Sequence, residues 1–268
     1  MVFSIKKSIK KILSILSGFG VIQKVLSKFV FVLQYLMGFG SGTDANSSGE
    51  RAIFRVLEKK KSSYCIFDVG ANKGQFLDLA LRECATSCYK IHCFEPSLST
   101  FEILLNRKKE LSNVIFNNLG LGENNSEVRL YYNSEGSGLA SLTKRRLDHF
   151  NIDFEKSEVV KIISLDFYCK QNNITHIDLL KIDVEGHELD VLRGASEMLK
   201  RNAIDAISFE FGGCNIDTKT YFQDFWYFFL DKNMKIYRIT PSGYLSRVDS
   251  YTESCEQFRT TNYIALKK

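Results

Sequence analysis

Residues 64–81, YCIFDVGANKGQFLDLAL, narrow the possible folds of this chain more than any other stretch. Tyr64, Cys65, Ile66, Phe67, Asp68 and Val69 read as a buried strand, and Gly70-Ala71-Asn72-Lys73-Gly74 follows without a break. The next residues carry Phe76, Leu77, Leu79, Ala80 and Leu81, a spacing that suits a helix. An apolar strand, a glycine-rich turn and a helix in this order open a nucleotide-binding α/β sheet. The glycines let the backbone come close to a ligand, and the helix N-terminus offers free N–H groups and the positive end of a dipole. Asp68 then stands at the carboxyl end of the strand, where open α/β sheets bind their ligands.

The turn is spaced G-x-x-x-G. A dinucleotide turn needs its second glycine two residues after the first, and position 72 is asparagine. That disfavours the alternative of an NAD-dependent oxidoreductase. A strand-end aspartate inside the turn repels a pyrophosphate and attracts an ammonium group. It favours a ligand with an amino acid moiety, such as S-adenosylmethionine.

At 268 residues the chain suits one large domain with an appendage, and 44% hydrophobic residues supply a sizeable core. The seven cysteines include no C-x-x-C pair, which points to reduced thiols and a cytoplasmic protein. The net charge of +5 is uneven. Residues 1–43 hold Lys6, Lys7, Lys10, Lys11, Lys24 and Lys28 and no acid, so the remainder is close to neutral and implies no nucleic-acid partner. Ile5, Ile9, Ile12 and Leu16 share one helical face with lysines opposite. The apolar stretch over residues 29–40 is about 12 residues long, short of the ~20 that span a bilayer. Two readings of residues 1–40 stand: a basic amphipathic helix on the inner membrane surface, or a helical cap packed on the domain.

SGTDANSSG, residues 41–49, reads as a linker, dividing the chain into a helical segment (1–43) and a main domain (44–268). Further strands are expected over 89–94, 114–117, 127–132, 159–163, 177–182, 206–209, 235–240 and 262–266, with helices over 50–61, 97–109, 165–172, 188–199 and 218–231. This alternation predicts a parallel doubly wound sheet. Residues 133–156, rich in glycine and serine and then basic at Lys144-Arg145-Arg146, predict a long loop or lid.

Glu95 lies 27 residues after Asp68, just past the second strand, where a carboxylate accepts both hydroxyls of a ribose. Pro96 fixes the turn behind it. Asn117 and Asn118, after the third strand, are candidates to meet an adenine edge. KIDVEGHE brings Asp183, Glu185, His187 and Glu188 to the carboxyl rim, where crowded acids and a histidine can supply a general base. Asp183 is the first candidate and His187 the second, with Glu185 and Glu210 in reserve. Binding of a divalent metal by these acids is the less favoured variant.

FDVGANKGQF, CFEP, LLKIDVEGHELDVLRGA and the strand ending FEFG together resemble the FkbM family of S-adenosylmethionine-dependent methyltransferases, over roughly residues 50–268. The resemblance implies a class I methyltransferase fold, Rossmann-like, with a seven-stranded, mostly parallel sheet and an antiparallel final strand. It also implies O-methylation, commonly of a sugar hydroxyl on a polysaccharide, glycolipid or glycosylated metabolite. By the same resemblance Asp68, Gly70, Asn72, Gly74 and Glu95 would hold the cofactor, with Ala71 and Pro96 beside them and Asp183 at the edge of the reacting centre. No metal is expected. A non-catalytic membrane-associated scaffold remains the alternative, because a fold does not fix a function.

Overall fold

The computed structural model describes residues 14, 17–42, 48–57, 63–84, 89–108 and 111–267. Eight strands form one sheet, in the spatial order β3 (Val114–Asn117), β2 (Tyr89–Phe94), β1 (Tyr64–Val69), β7 (Ile177–Ile182), β8 (Ile204–Phe211), β11 (Thr261–Lys267), β9 (Met234–Ile239), β10 (Leu245–Arg247). The run from β3 to β8 is parallel; β11 is antiparallel to both β8 and β9, and β10 is antiparallel to β9. The seven expected strands are therefore present, and β10 is an added edge strand. A second sheet, β4 (Gly120–Gly122), β6 (Lys156–Ser164) and β5 (Ser126–Tyr132), was not expected as a separate unit.

The central strands are long apolar runs because both of their faces are covered. All six residues of β7 are buried. Phe67, Val69, Leu180, Ile182 and Phe209 enter one apolar layer, with Phe209 stacked on Phe225 at 4.8 Å. Ile66, Ile91, Leu179, Ala206 and Ile264 enter the other. Asp68 and Lys181 share this second side and are register partners on neighbouring strands, so the period of two carries a charged pair into the interior.

Helices α1 (Gly20–Met37), α2 (Gln75–Glu83), α3 (Leu98–Lys108) and α4 (Leu165–Gln171) come first; α5 (Glu188–Arg193), α6 (Ser196–Lys200), α7 (Cys214–Thr218) and α8 (Phe222–Asp231) follow. The helix expected over 188–199 is thus two. Their junction, Gly194, packs so closely on the small sheet that a Cβ there would lie 2.0 Å from the Gly122 carbonyl oxygen. The helix expected from residue 50 is a 3-10 turn over Glu50–Arg55.

The 12-residue apolar stretch is the second part of an 18-residue helix, α1, that also contains Lys24 and Lys28. None of its residues is buried. The chain after it joins the body: Gly40 N–H donates to Thr261 Oγ1 (3.2 Å) and Gly42 N–H to the Thr260 carbonyl (2.9 Å). The helical face expected from Ile5, Ile9, Ile12 and Leu16 lies outside the described residues.

Candidate active site

The turn after β1 is built by backbone constraints. Gly70 has φ 82°, and a Cβ there would sit 1.8 Å from the Asp183 carbonyl oxygen, so only glycine fits. Gly70 and Ala71 N–H both donate to the Phe94 carbonyl, at 3.0 and 2.9 Å, and Asp183 N–H donates to Val69 at 2.9 Å. Three strand ends are thereby laced together at the carboxyl edge. Glu95 closes the turn by accepting from Asn72 N–H (3.0 Å) and Ser97 N–H (2.9 Å). Burial lifts the Glu95 carboxyl to about 7, although both N–H groups pull the other way.

Asp68 is fully buried, and neither of its carboxylate oxygens has a hydrogen-bond partner. Its pKa rises to about 7, mainly by burial; Lys181 opposes the rise, and Asp183 and Glu50 add to it. A buried carboxylate without a partner is costly, on the order of 1–3 kcal/mol or more. Such a group calls for a cation.

A cavity of about 1020 Å³ runs from this turn to the acid and histidine cluster. Small-molecule sites span roughly 300–1,000 Å³, so there is room for two ligands side by side. Val69, Gly70, Ala71, Asn72, Glu95 and Pro96 line one end, and Asp183, Glu185, His187 and Glu210 the other. Leu121, Leu130 and Ile162 of the small sheet add an apolar wall. The predicted loop closes another side through Ser137, Leu142, Leu147 and Phe150, and it approaches the turn where Gly138 faces the Asn72 amide.

At the acid cluster, Lys181 Nζ pairs with Asp183 Oδ2 at 2.8 Å. The Lys181 ammonium is held above its usual range by Asp183, Asp68 and Glu50, which outweigh its burial. Glu185 adopts φ 52° and pairs with Arg145, which also pairs with Asp217 at 3.3 Å. Burial and the nearby Asp183 lift the Glu185 carboxyl to about 8, against the pull of Arg145. Glu210 is pushed well above the carboxylate range by burial and by Asp183, Glu185 and Glu188. Opposite it in register stands Asn262, whose side-chain Nδ2 lines the cavity region without a partner.

His187 has two partners, Asp190 Oδ2 at 2.8 Å from Nδ1 and Thr143 Oγ1 at 3.0 Å from Nε2. The hydrogen bond from His187 holds the Asp190 carboxyl below its usual value. The Asp190 carboxylate favours the proton on Nδ1, and in the neutral tautomer that results Nε2 accepts from the Thr143 hydroxyl.

Several expected residues take other roles. Asp68 lies outside the cavity wall, and Gly74 (φ 91°) caps α2. Asn118 does not reach the cavity: its amide donates to the Glu95 and Pro96 carbonyls at 3.0 and 3.1 Å, bracing the turn from outside. Asn117 is likewise committed, to the Cys93 carbonyl and the Tyr168 hydroxyl. Glu188 ties down the loop before α5, accepting from Val184 and Gly186 N–H at 3.1 Å each. Arg145 and Arg146 are paired with acids, which removes the free basic run expected at 144–146. Sequence reasoning missed Glu50, Thr143, Lys181 and Asn262. Lys181 alone left a signal, a lysine at an inward position of a mostly apolar strand.

Among the described residues the group with metal-ligand spacing is His176, Asp178 and Asp205, at the opposite ends of β7 and β8, away from the acid cluster. Lys267 already pairs with Asp205 at 2.7 Å.

The sequence profile of the methyltransferase FkbM domain matches residues 68–237, more than half of the chain. The chain belongs to the FkbM methyltransferase family. Members of this family depend on S-adenosylmethionine. The site fits that cofactor: Gly70 and Ala71 admit close approach, Glu95 presents a carboxylate to a ribose, and Asp68, without a hydrogen-bond partner behind the cavity wall, adds negative charge near an ammonium or sulfonium. Hexuronic acid methyltransferase AglP of Haloferax volcanii is 28% identical over 163 residues, 60% of this chain and 60% of AglP. The chain therefore spans well under two thirds of that relative. 2-O-methyltransferase NoeI of Sinorhizobium fredii is 26% identical over 184 residues, covering 63% of this chain and 72% of NoeI. A solved FkbM methyltransferase from Methylobacillus flagellatus KT aligns with 91% of this chain and 59% of its own, at 14% identity and TM-score 0.45.

Proposed function

We propose that this FkbM-family chain is an O-methyltransferase acting on a sugar hydroxyl of a glycan, glycolipid or glycosylated metabolite. The observation that carries the reading is the single cavity joining the Gly70–Asn72 turn and Glu95 to Asp183, His187 and Glu210. The names of AglP and NoeI, both methyltransferases and one of a hexuronic acid, support a sugar acceptor.

S-Adenosylmethionine supplies an activated methyl group on a sulfonium. Little covalent help is then needed; the residues orient the acceptor oxygen, exclude water and take its proton. Glu95 would hold the ribose end, while Asp68, buried behind the wall at Val69, would act on the ammonium through its charge rather than by contact. Glu210 and, opposite it in register, the unpartnered Asn262 amide offer polar groups to orient an acceptor hydroxyl.

His187 is the proposed base, ahead of Asp183. Asp183 has one carboxylate oxygen bound to the buried Lys181 ammonium, whereas His187 Nε2 is held only by a threonine hydroxyl that an acceptor hydroxyl can replace. Asp190 is its positioning residue. Asp183 with Lys181 forms the charged wall beside the turn.

The test is transfer of methyl from S-adenosylmethionine to uronic acid- and hexose-containing oligosaccharides, read by mass spectrometry. Acceptors heavier by one methyl group are expected. His187→Ala should lower kcat about 100-fold or more with cofactor affinity unchanged, and added imidazole should restore part of it. A His187→Ala enzyme with near-normal kcat, alongside an inactive Asp183→Asn, would return the base role to Asp183. Calorimetric binding of NAD in place of S-adenosylmethionine would overturn the whole reading.

A further inference from the structure

Among the described residues, helix α1 is unlike the other α-helices, since it is long, apolar and has no buried residue. At 1.5 Å per residue its 18 residues extend about 27 Å. At 100° per residue, Val25, Leu26, Phe29, Val30, Leu33 and Leu36 fall on one half of the helix, and Gln23, Lys24, Ser27, Lys28 and Gln34 on the other. The apolar half is open to solvent: Phe29 is 61% and Leu36 62% exposed.

The polar half is the side that meets the body. Gln34 donates to Gln257 at 3.0 Å and accepts from Arg259 at 3.1 Å, while the Arg259 guanidinium stacks 4.0 Å over Phe31. Arg238 donates to the Met37 carbonyl at 2.7 Å and stacks over Phe39 at 4.0 Å. Arg259 also lines the cavity, as do Gly42 and Thr260. Arg259, which holds α1 through Gln34 and Phe31, is therefore also part of the cavity's wall.

We infer that the apolar half of α1 lies in the surface of an anionic bilayer and sets the cavity beside it, so that the acceptor is a glycan carried on a membrane lipid. The inference rests on the proposed function for the acceptor's sugar chemistry alone; the membrane contact stands on α1. A continuous apolar half of this length, backed by a polar half with lysines, matches a helix lying in the plane of the interface. Residues 1–43 carry six lysines and no acid, which selects anionic headgroups over a neutral apolar protein face. Lys28, toward the edge of the polar half, can extend its ammonium group to those headgroups while its stem stays along the apolar surface.

The experiment is flotation of the full chain with vesicles of phosphatidylcholine alone or with phosphatidylglycerol, at low and high salt. Binding to the anionic vesicles is expected, weakened by salt and by Lys24→Glu/Lys28→Glu. Phe29→Asp/Leu33→Asp should lower partitioning about tenfold or more. Calorimetry should find cofactor binding unchanged in both variants, because α1 lies outside the core. Methylation of a soluble sugar should also survive, whereas methylation of a lipid-linked sugar in vesicles should fall in step with partitioning. Absence of flotation on anionic vesicles, or flotation indifferent to the apolar-face variant, overturns the inference. So does resistance to alkaline extraction, which would mean that α1 spans, and so does a dimer in solution that Phe29→Asp/Leu33→Asp dissolves. Loss of methyl transfer to every sugar with flotation intact would instead fail the proposed function.

Discussion

Asp68 and Lys181 show how one position in a strand sets the chemistry of a site. Both project from the same side of adjacent central strands, yet only Lys181 finds a hydrogen-bonded partner, Asp183. With a pKa near 7, Asp68 is partly protonated in the cofactor-free protein at neutral pH. A bound cation favours its ionised form, so binding must expel the proton when the pH is below 7. S-Adenosylmethionine affinity should therefore rise from pH 6 to about 7.5, then level as the ligand's own α-amino group, near 8, loses its charge. Calorimetry at pH 6.5 in buffers of different ionisation enthalpy should register proton release. Asp68→Asn should weaken binding and reduce that release to the share of Glu95, whose carboxyl is lifted to about 7 as well. Affinity of the unsubstituted protein that is flat between pH 6 and 7.5 would show that Asp68 does not face the cofactor's charge. Asp68 was legible in the sequence because it ends an apolar strand before a glycine turn. Asn118 has the same local signature and brackets the turn from outside, because the direction of a loop side chain depends on what packs behind it.

At the scale of elements, the central strands were legible because they are apolar on both faces, and the breaks in helices were not. Gly194 looks like an ordinary residue within an apolar repeat; what interrupts the helix there is the Gly122 carbonyl, 72 residues earlier in the chain. Helix α1 was read as a 12-residue apolar stretch because Lys24 and Lys28 interrupt it in sequence, although on the helix surface they merely join its polar side. The start of α8 is another long-range feature. Tyr221 N–H donates to Asp224, but the Phe222 and Gln223 N–H groups both donate to Glu256, at 2.8 and 3.0 Å, from a segment beyond β10. Free N–H groups at a helix start are well matched by a carboxylate. Glu256→Ala should destabilise the protein by about 1 kcal/mol, read as a lower urea midpoint with an unchanged slope. Phe222, Phe225 and Phe229 would remain packed on the sheet, so cofactor binding should persist. A midpoint equal to that of the unsubstituted protein would show that water caps the helix equally well.

Across the whole molecule, the site is assembled from parts that the sheet brings together and that no single stretch of sequence contains. The turn after β1, the rim after β7, the ends of β8 and β11, and the loop before β6 all face one cavity, and the loop's contacts with Glu185 and His187 depend on that assembly. Gathering acids there has a thermodynamic consequence. Asp68, Glu95, Glu185 and Glu210 all have folded-state pKa values above those of the free side chains, with burial the first cause in each. Between about pH 4 and 8 the folded state therefore holds more protons than the unfolded chain, and stability must fall as pH rises. The contribution of each group is complete below its unfolded pKa and is lost as pH passes its folded value. Asp190 runs the other way below about pH 4, and His92, whose imidazole burial lowers to about 4, opposes the trend between about pH 4 and 6.5, where one group stands against four acids. The urea midpoint of the cofactor-free protein should accordingly be higher at pH 5.5 than at pH 8, by a difference on the order of a few kcal/mol in stability. S-Adenosylmethionine should narrow the gap, since it compensates Asp68 and Glu95 when they are ionised and stabilises by mass action most where it binds best. Asp68→Asn, which removes one ionisable group and leaves the strand's packing intact, should flatten the profile of the free protein. A midpoint that climbs from pH 5.5 to 8 in the unsubstituted protein would mean that these acids are already ionised and matched by Lys181 and Arg145, leaving no charge at the turn for the cofactor to satisfy.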